Sequence, residues 1–327
     1  MASESPAEPS PEPPTGEVAA GRPAGSPYGK AFVIINRRAG KGARHPDEFA
    51  RALTEVGLDY ELTVTERRHH ALELARGAID NGSRFLVAVG GDGTIHEVVN
   101  GMMGPDGPRN PEAVLGIVSA GSGSDFARTF GLPDDVTHGL QHLTGDGYVE
   151  IDCGRVTYTT EEGEATRYFP NIAEAGLGAD VVVRAEHLPR RLGRSRYLVG
   201  FWLSLARFKP CSGRVQVAER SYEGRIANVV VANCQFFGGG MHVAPKASPM
   251  DGRFDVLVQT GSKSDYVATI RKIFKGTHIP SPNIKEFRGR RVEVTTSRPV
   301  RLEADGEPLG TTPATFAIVE NALKIKV

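Results

Sequence analysis

Residues 85–97 read Phe-Leu-Val-Ala-Val-Gly-Gly-Asp-Gly-Thr-Ile-His-Glu. The apolar run Phe85–Val89 has no polar interruption, which suits a strand covered on both faces, as in a parallel sheet. Gly90, Gly91 and Gly93 then remove side chains where the strand turns, so backbone can approach a ligand. A helical pattern follows over Ile95–Met103, and N–H groups at a helix start favour phosphate. Thr94 suits a cap or a phosphate donor. Asp92 does not fit a bare phosphate cradle. It would repel the ligand unless a divalent cation or its water shell stood between them, so the stretch itself predicts Mg²⁺. The competing reading is a tight turn with Asp92 as an ordinary helix cap. The Walker spacing and the Rossmann fingerprint both fail here.

Outward from this stretch, strands alternate with single helices. Ala31–Ile35, Tyr60–Thr65 and Val114–Val118 read as strands, and Pro46–Val56 and Ala71–Asp80 as helices. That alternation is the signature of βαβ units on a parallel sheet. After Ile151 the texture changes to short strands: Arg214–Val217, Ile226–Ala232, Phe254–Thr260, Val292–Thr295, Val300–Ala304, Ala314–Val319 and Leu323–Val327. Several alternate in polarity between glycine and proline turns, which predicts an antiparallel sandwich or barrel. Helices are expected at Gly178–His187, Tyr197–Phe208 and Asp265–Phe274. Residues 1–27 are rich in proline and glutamate and are expected to be a solvated tail. The expected units are this tail, an α/β domain over 28–150 and a β domain over 151–327.

Composition narrows the function classes. Of 327 residues, 39 are Lys or Arg and 39 are Asp or Glu, so no bulk charge favours nucleic acid. Cys153, Cys211 and Cys234 form no CxxC pair, which excludes a disulfide scaffold and argues against zinc. No run of about 18 apolar residues and no basic-then-apolar leader is read, so a cytoplasmic location is expected.

Two more glycine loops follow strands: Asn36-Arg-Arg-Ala-Gly40-Lys41-Gly42, and Ser119-Ala-Gly-Ser-Gly-Ser-Asp-Phe-Ala-Arg128. Three such loops at the carboxyl ends of parallel strands would converge on one crevice. Asp125 can bind water, metal or a substrate hydroxyl, and Arg128 can hold phosphate. The plain alternative is a helix cap with an i,i+3 ion pair.

In this order and spacing, Asn36–Gly40, Gly90–Glu97 and Gly121–Arg128 resemble the diacylglycerol kinase catalytic domain. The resemblance is to the bacterial lipid kinase branch, related to sphingosine and ceramide kinases. It continues through Asn171–Asp180, Asn233–Met241, Pro245, Ala247 and Asp251-Gly252, and ends at Asp305-Gly-Glu307, covering about residues 30 to 327. Gly-Gly-Asp-Gly-Thr alone also occurs in NAD kinases and resembles a phosphofructokinase element; the ordered set is what is specific. The resemblance implies a Rossmann-like parallel α/β domain of that type followed by an antiparallel β-sandwich, whose last strand can return to the first domain.

It also implies roles. ATP would sit on Asn36, Gly40, Thr65, Gly91, Asp92, Gly93, Thr94, Ile95, His96, Glu97 and Ser122. Asp92 and Asp125 would organise the catalytic Mg²⁺, and Glu307 matches the general base that takes the proton of a lipid hydroxyl. Lys41 and Arg128 are placed on the phosphate. A second, structural Mg²⁺ would use Asp251 with the carbonyls of Ser248 and Arg253. Without the resemblance, Asp251-Gly252 reads as a type I turn and Asp305-Gly306-Glu307 as a hairpin turn.

The function so implied is ATP- and Mg²⁺-dependent phosphorylation of a lipid, by default diacylglycerol to phosphatidic acid, with sphingoid bases or ceramide as alternatives. The family pattern departs at Arg37 and Ala39, at Ser122 and Ser124, and at His96, which motivates a second reading: a nucleotide-binding regulatory protein without turnover. An NAD kinase-like enzyme is disfavoured by the second glycine loop and by Gly238–Gly240. Between Arg184 and Lys209, seven basic residues stand beside Leu188, Leu192, Tyr197, Leu198, Phe201, the only tryptophan Trp202, and Phe208. That mixture suits transient contact with an anionic membrane; the alternative is a packed helix with a solvated basic face. The expected partners are thus a membrane lipid and no nucleic acid, and a homodimer is compatible with the sequence.

Overall fold

The computed structural model describes residues 26–37, 45–120, 124–133, 138–193 and 195–327. Nearly all of the proline-rich segment, and the expected site residues Gly40, Lys41 and Ser122, lie outside the described residues.

The first half is built from β1 (Ala31–Ile35), α1 (Pro46–Glu55), β2 (Tyr60–Val64), α2 (His70–Asp80), β3 (Phe85–Gly90), α3 (Asp92–Met102) and β4 (Val114–Ser119). The four strands are parallel in the order β2-β1-β3-β4. Every residue of β3 and β4 is buried, which is why both read as unbroken apolar runs. Ile34, Leu86 and Leu115 pack under Ala75 of α2 and Val99 of α3. On the other face Val33, Val87 and Val89 meet Phe49 and Leu53 of α1. Because the chain leaves β1 for β2 and passes back over it to β3, the carboxyl ends of β1 and β3 border a topological switch point, where open α/β sheets bind ligands. Helix α3 starts at Asp92, three residues before the periodic pattern at Ile95. Its first turn carries Gly93 and no large apolar side chain, so periodicity could not register it.

The second half holds β5 (Tyr148–Thr160), β6 (Gly163–Phe169), β7 (Ile172–Gly176), α5 (Leu177–His187), α6 (Ser195–Arg207), β8 (Cys211–Val217), β9 (Arg220–Ile226) and β10 (Asn228–Ala232). It continues with β11 (Phe254–Gln259), α7 (Lys263–Ile273), β12 (Ile284–Gly289), β13 (Arg291–Thr296), β14 (Arg301–Ala304) and β15 (Glu307–Lys326). One antiparallel layer runs β12-β11-β10-β7-β14-β15, and the other β9-β8-β13-β15-β5-β6. Val229 and Val256 from the first layer pack against Val215, Val292 and Phe316 from the second, forming the sandwich core. The long strand β15 belongs to both layers, and its end then lies parallel to β4, pairing Lys324 with Val114 and Ile325 with Leu115. The last strand thus stitches the sandwich to the parallel sheet.

Candidate active site

The site gathers at the carboxyl ends of β1 and β3. Asn36 ties them together: its N–H donates to the Val89 carbonyl at 3.0 Å, and its side-chain amide donates to Thr94 Oγ1 at 3.0 Å. Thr94 folds back over the strand end, where a Cβ on Gly90 would lie 2.4 Å from Thr94 Oγ1. Only glycine permits that approach.

Asp92, in the first turn of α3, accepts N–H donors from Asp125 at 3.4 Å and Phe126 at 3.1 Å, at the start of α4 (Asp125–Thr129). The Asp125 carboxylate in turn accepts the N–H groups of Gly239 at 2.6 Å and Gly240 at 2.8 Å. Gly238, Gly239 and Gly240 have φ of +70°, +87° and +98°, so this anion-binding turn requires glycine. Burial pushes the Asp92 carboxyl up to about 6, and the neighbouring charge of Asp125 adds to it. Among the described residues each of the four carboxylate oxygens accepts one backbone N–H, which leaves lone pairs for water.

Glu307 reaches the start of α3 from the far end of the chain. It follows the β14–β15 turn, where Asp305 sits at φ +52°. Glu307 Oε1 lies over Gly93, 3.5 Å from where a Cβ on that glycine would stand. Its Oε2 accepts Arg68 Nη2 at 2.7 Å, and the same guanidinium donates to Glu186 on α5 at 3.1 Å. The turn is fixed from both sides. Asp305 Oδ1 accepts the N–H groups of Asn171 and Ile172, both at 3.1 Å, and Oδ2 lies 2.8 Å from His96 Nδ1 on α3. Asn100 on α3 accepts the Tyr168 N–H at 3.0 Å and donates to the Tyr168 carbonyl at 2.9 Å. Below the turn, Glu303 Oε2 accepts the Gly306 N–H at 2.7 Å, and Glu303 is the cross-strand partner of Glu174. Burial raises both carboxyls, Glu174 to about 7.

The structure therefore brings Asn36, Asp92, Gly93, Thr94, Asp125 and Glu307 together, with Thr65 at the end of β2 donating its N–H to Ile35. Arg128 is exposed beside the glycine turn, its guanidinium 5.8 Å from the Phe236 ring. Three side chains expected at the nucleotide do other work. Ile95 is core, His96 is buried against Asp305, and Glu97 accepts the N–H groups of His69 and Ala71, capping α2. The early start of α3 is the reason: positions 95–97 lie a turn inside the helix, facing its neighbours.

Asp251, expected to hold a structural Mg²⁺, is already neutralised. Its Oδ1 accepts the Arg253 N–H at 3.1 Å and its Oδ2 accepts Arg288, which also reaches Asp255 at 3.1 Å. With a guanidinium between the two carboxylates, these residues do not fit a divalent cation. Arg68 and Glu186 carry no motif that marks them in the sequence. Arg68 had one signal only, its place in a loop after a parallel strand.

Residues 30–156 match the diacylglycerol kinase catalytic domain, and residues 171–327 match the YegS C-terminal NAD kinase beta sandwich-like domain. A protein named diacylglycerol kinase from Mycobacterium tuberculosis is 28% identical, the match covering 91% of this chain and 94% of that one. One of the same name from Bacillus subtilis is 26% identical, covering 88% and 92%. Two solved chains from Bacillus anthracis str. Sterne share the fold, at TM-scores of 0.74 and 0.66 with 21% and 18% identity. Each covers 92% of this chain, with 98% and 97% of its own length matched; the second is described as a diacylglycerol kinase.

Proposed function

Because this chain belongs to the diacylglycerol kinase catalytic domain family and carries the YegS-type C-terminal domain, we propose that it is an ATP- and Mg²⁺-dependent lipid kinase that converts diacylglycerol to phosphatidic acid. The observation that carries the reading is Glu307 Oε1 seated over Gly93, one residue from Asp92. A carboxylate base thus stands beside a site suited to a triphosphate.

Glu307 would take the proton of the acceptor hydroxyl as that oxygen bonds to the γ-phosphorus and the bond to the β-phosphate oxygen breaks, releasing ADP. Asp92 and Asp125 fit a divalent cation: they are a close, partly desolvated acidic pair with lone pairs open to water. Bound there, Mg²⁺ would neutralise the phosphates. Thr94 and Asn36 position the strand-end backbone. Arg68 pairs with Glu307, and a bound phosphate, with more charge than a carboxylate, competes for that guanidinium. Its exposed side chain is free to turn toward phosphate, leaving Glu307 to act as base.

No described helix is long and apolar enough to cross a membrane. On this reading the enzyme acts from the cytoplasm at the bilayer surface. The test is incubation with γ-labelled ATP, Mg²⁺ and a mixed lipid extract. Label in phosphatidic acid is expected. ATP binding without a labelled lipid would contradict this and favour a regulatory protein without turnover.

A further inference from the structure

Behind the turn that carries Glu307 lie two buried carboxyls with no role in the reaction so far. Glu303 on β14 and Glu174 on β7 are direct cross-strand partners. Their neighbours Leu302, Ala304, Ala173 and Ala175 fill the sandwich core, so both glutamates project from the other face of the layer. Glu303 is fully buried there and Glu174 nearly so. Helices cover them. A Cβ on Gly178 of α5 would overlap Glu174 Oε2. On α7, burial and then the charge of Glu174 hold the Tyr266 hydroxyl well above its usual range.

The charges that act on Glu303 are those of Glu174, Asp305 and Glu307, all acidic. Arg301, two residues back on β14, pairs instead with Asp180 of α5 at 3.3 Å. The hydrogen bonds are unequal. Glu174 Oε1 accepts the Asn228 side-chain amide at 2.9 Å, and Asn228 Oδ1 accepts the Gly178 N–H at 3.1 Å. Glu303 Oε2 accepts the Gly306 N–H at 2.7 Å, but among the described residues its buried Oε1 has no partner. Two adjacent buried carboxylates with no counter-charge repel each other, and the inexpensive relief is a proton on one of them. Placed on Glu303 Oε1, that proton turns an orphaned acceptor into a donor, with Glu174 as the carboxylate across the strands.

We propose that one proton shared by Glu303 and Glu174 fixes the β14–β15 turn, which makes this pair the positioning device for Glu307. The inference deepens the lipid kinase reading above and rests on it for its kinetic test. Glu303 Oε1 donates to Glu174, while Oε2 keeps the Gly306 N–H, one residue before the base. Loss of the proton sets two like charges across β7 and β14, beside Asp305 and Glu307, and loosens the turn. Because the folded protein holds this proton more tightly than the unfolded chain, its contribution is present at low pH and is lost as pH rises. Transfer to the lipid should therefore fall on the alkaline side without a matching loss of nucleotide affinity.

The full chain, without ATP or lipid, is followed by infrared spectroscopy at mildly alkaline pH, above the values of about 6 and about 7 to which Asp92 and Glu174 are pushed. A carboxylic-acid carbonyl band is expected to persist there, and to be missing from the variant that combines Glu174→Gln with Glu303→Gln. In turnover, the wild-type kcat for the lipid should fall as this proton is released, and the double variant should lose that alkaline limb. Glu303→Ala leaves the Gly306 N–H without its acceptor; kcat should drop about tenfold across the pH range while nucleotide Kd stays within about twofold. A wild type without the band, or a double variant that retains it, would overturn the shared proton. An alkaline limb unmoved in the double variant, or a Glu303→Ala enzyme with wild-type kcat, would overturn its role at Glu307. The infrared band requires no turnover, so failure of this inference and failure of the kinase reading remain distinguishable.

Discussion

Asp92 sits where its own charge is unwelcome. Its carboxyl rises from 3.8 to about 6, and that of buried Glu174 from 4.5 to about 7. A folded-state value above the unfolded one favours the protonated protein. The associated stability is therefore present below the ordinary carboxylate range and is lost as pH rises through about 6 and about 7. A divalent cation bound at Asp92 would reverse the sign there. Differential scanning calorimetry should show a melting temperature that falls across this window, and a gain from Mg²⁺ with ADP that is larger near about pH 8 than near about pH 5. Equal gains would remove Asp92 from the cation site. At Asp251 the expectation is opposite. Arg288 bridges it to Asp255, so a chelator should leave the melting temperature of the free protein unchanged, whereas Arg288→Gln should lower it; a large chelator effect would restore a metal to that turn. Asp92, Asp125 and the glycines around them were legible because a carboxylate inside a glycine loop is chemically pointed. Arg68 was not, because two arginines after a glutamate read equally well as a solvated loop.

Helix α3 does two jobs that its sequence shows unequally. Its first turn carries Asp92 and meets Glu307, and its inner face clamps the sandwich through His96 to Asp305 and Asn100 to Tyr168. Asn100→Ala would leave the buried N–H and carbonyl of Tyr168 without these partners, at a cost of about 1–3 kcal/mol. The expected outcome is a lower melting temperature and a fall in kcat for the lipid that exceeds any change in nucleotide Kd, since Glu307 rather than the phosphate cradle loses its support. A variant matching the wild type in both respects would show that the clamp is dispensable. The strands of the parallel sheet were legible because both their faces are covered. In the sandwich the pattern fails in particular places. Strand β15 reads as two pieces because Asn321, at φ +48°, and the register shift between Val319 and Leu323 interrupt its alternation. Strand β5 carries Asp152, Arg155 and Thr157 among its apolar residues, so nothing in its periodicity separates it from a loop.

At the scale of the molecule, Glu307 meets the start of α3 because β15 joins both sheets and the β14–β15 turn is pinned to α3. That closure spans more than two hundred positions of chain, from Arg68 to Glu307. Spacing within one sequence gives no sign that residues so far apart meet; only the ordered resemblance anticipated it, and the seat of Glu307 over Gly93 gives it a physical form. The most direct measurement compares Glu307→Gln with the wild type in two assays on the same preparation, ATP affinity by calorimetry and transfer of labelled phosphate to diacylglycerol. The expected result is a Kd within about twofold and a transfer rate lower by about 10²–10⁴. An undiminished rate, or loss of ATP binding in proportion to loss of transfer, would contradict it.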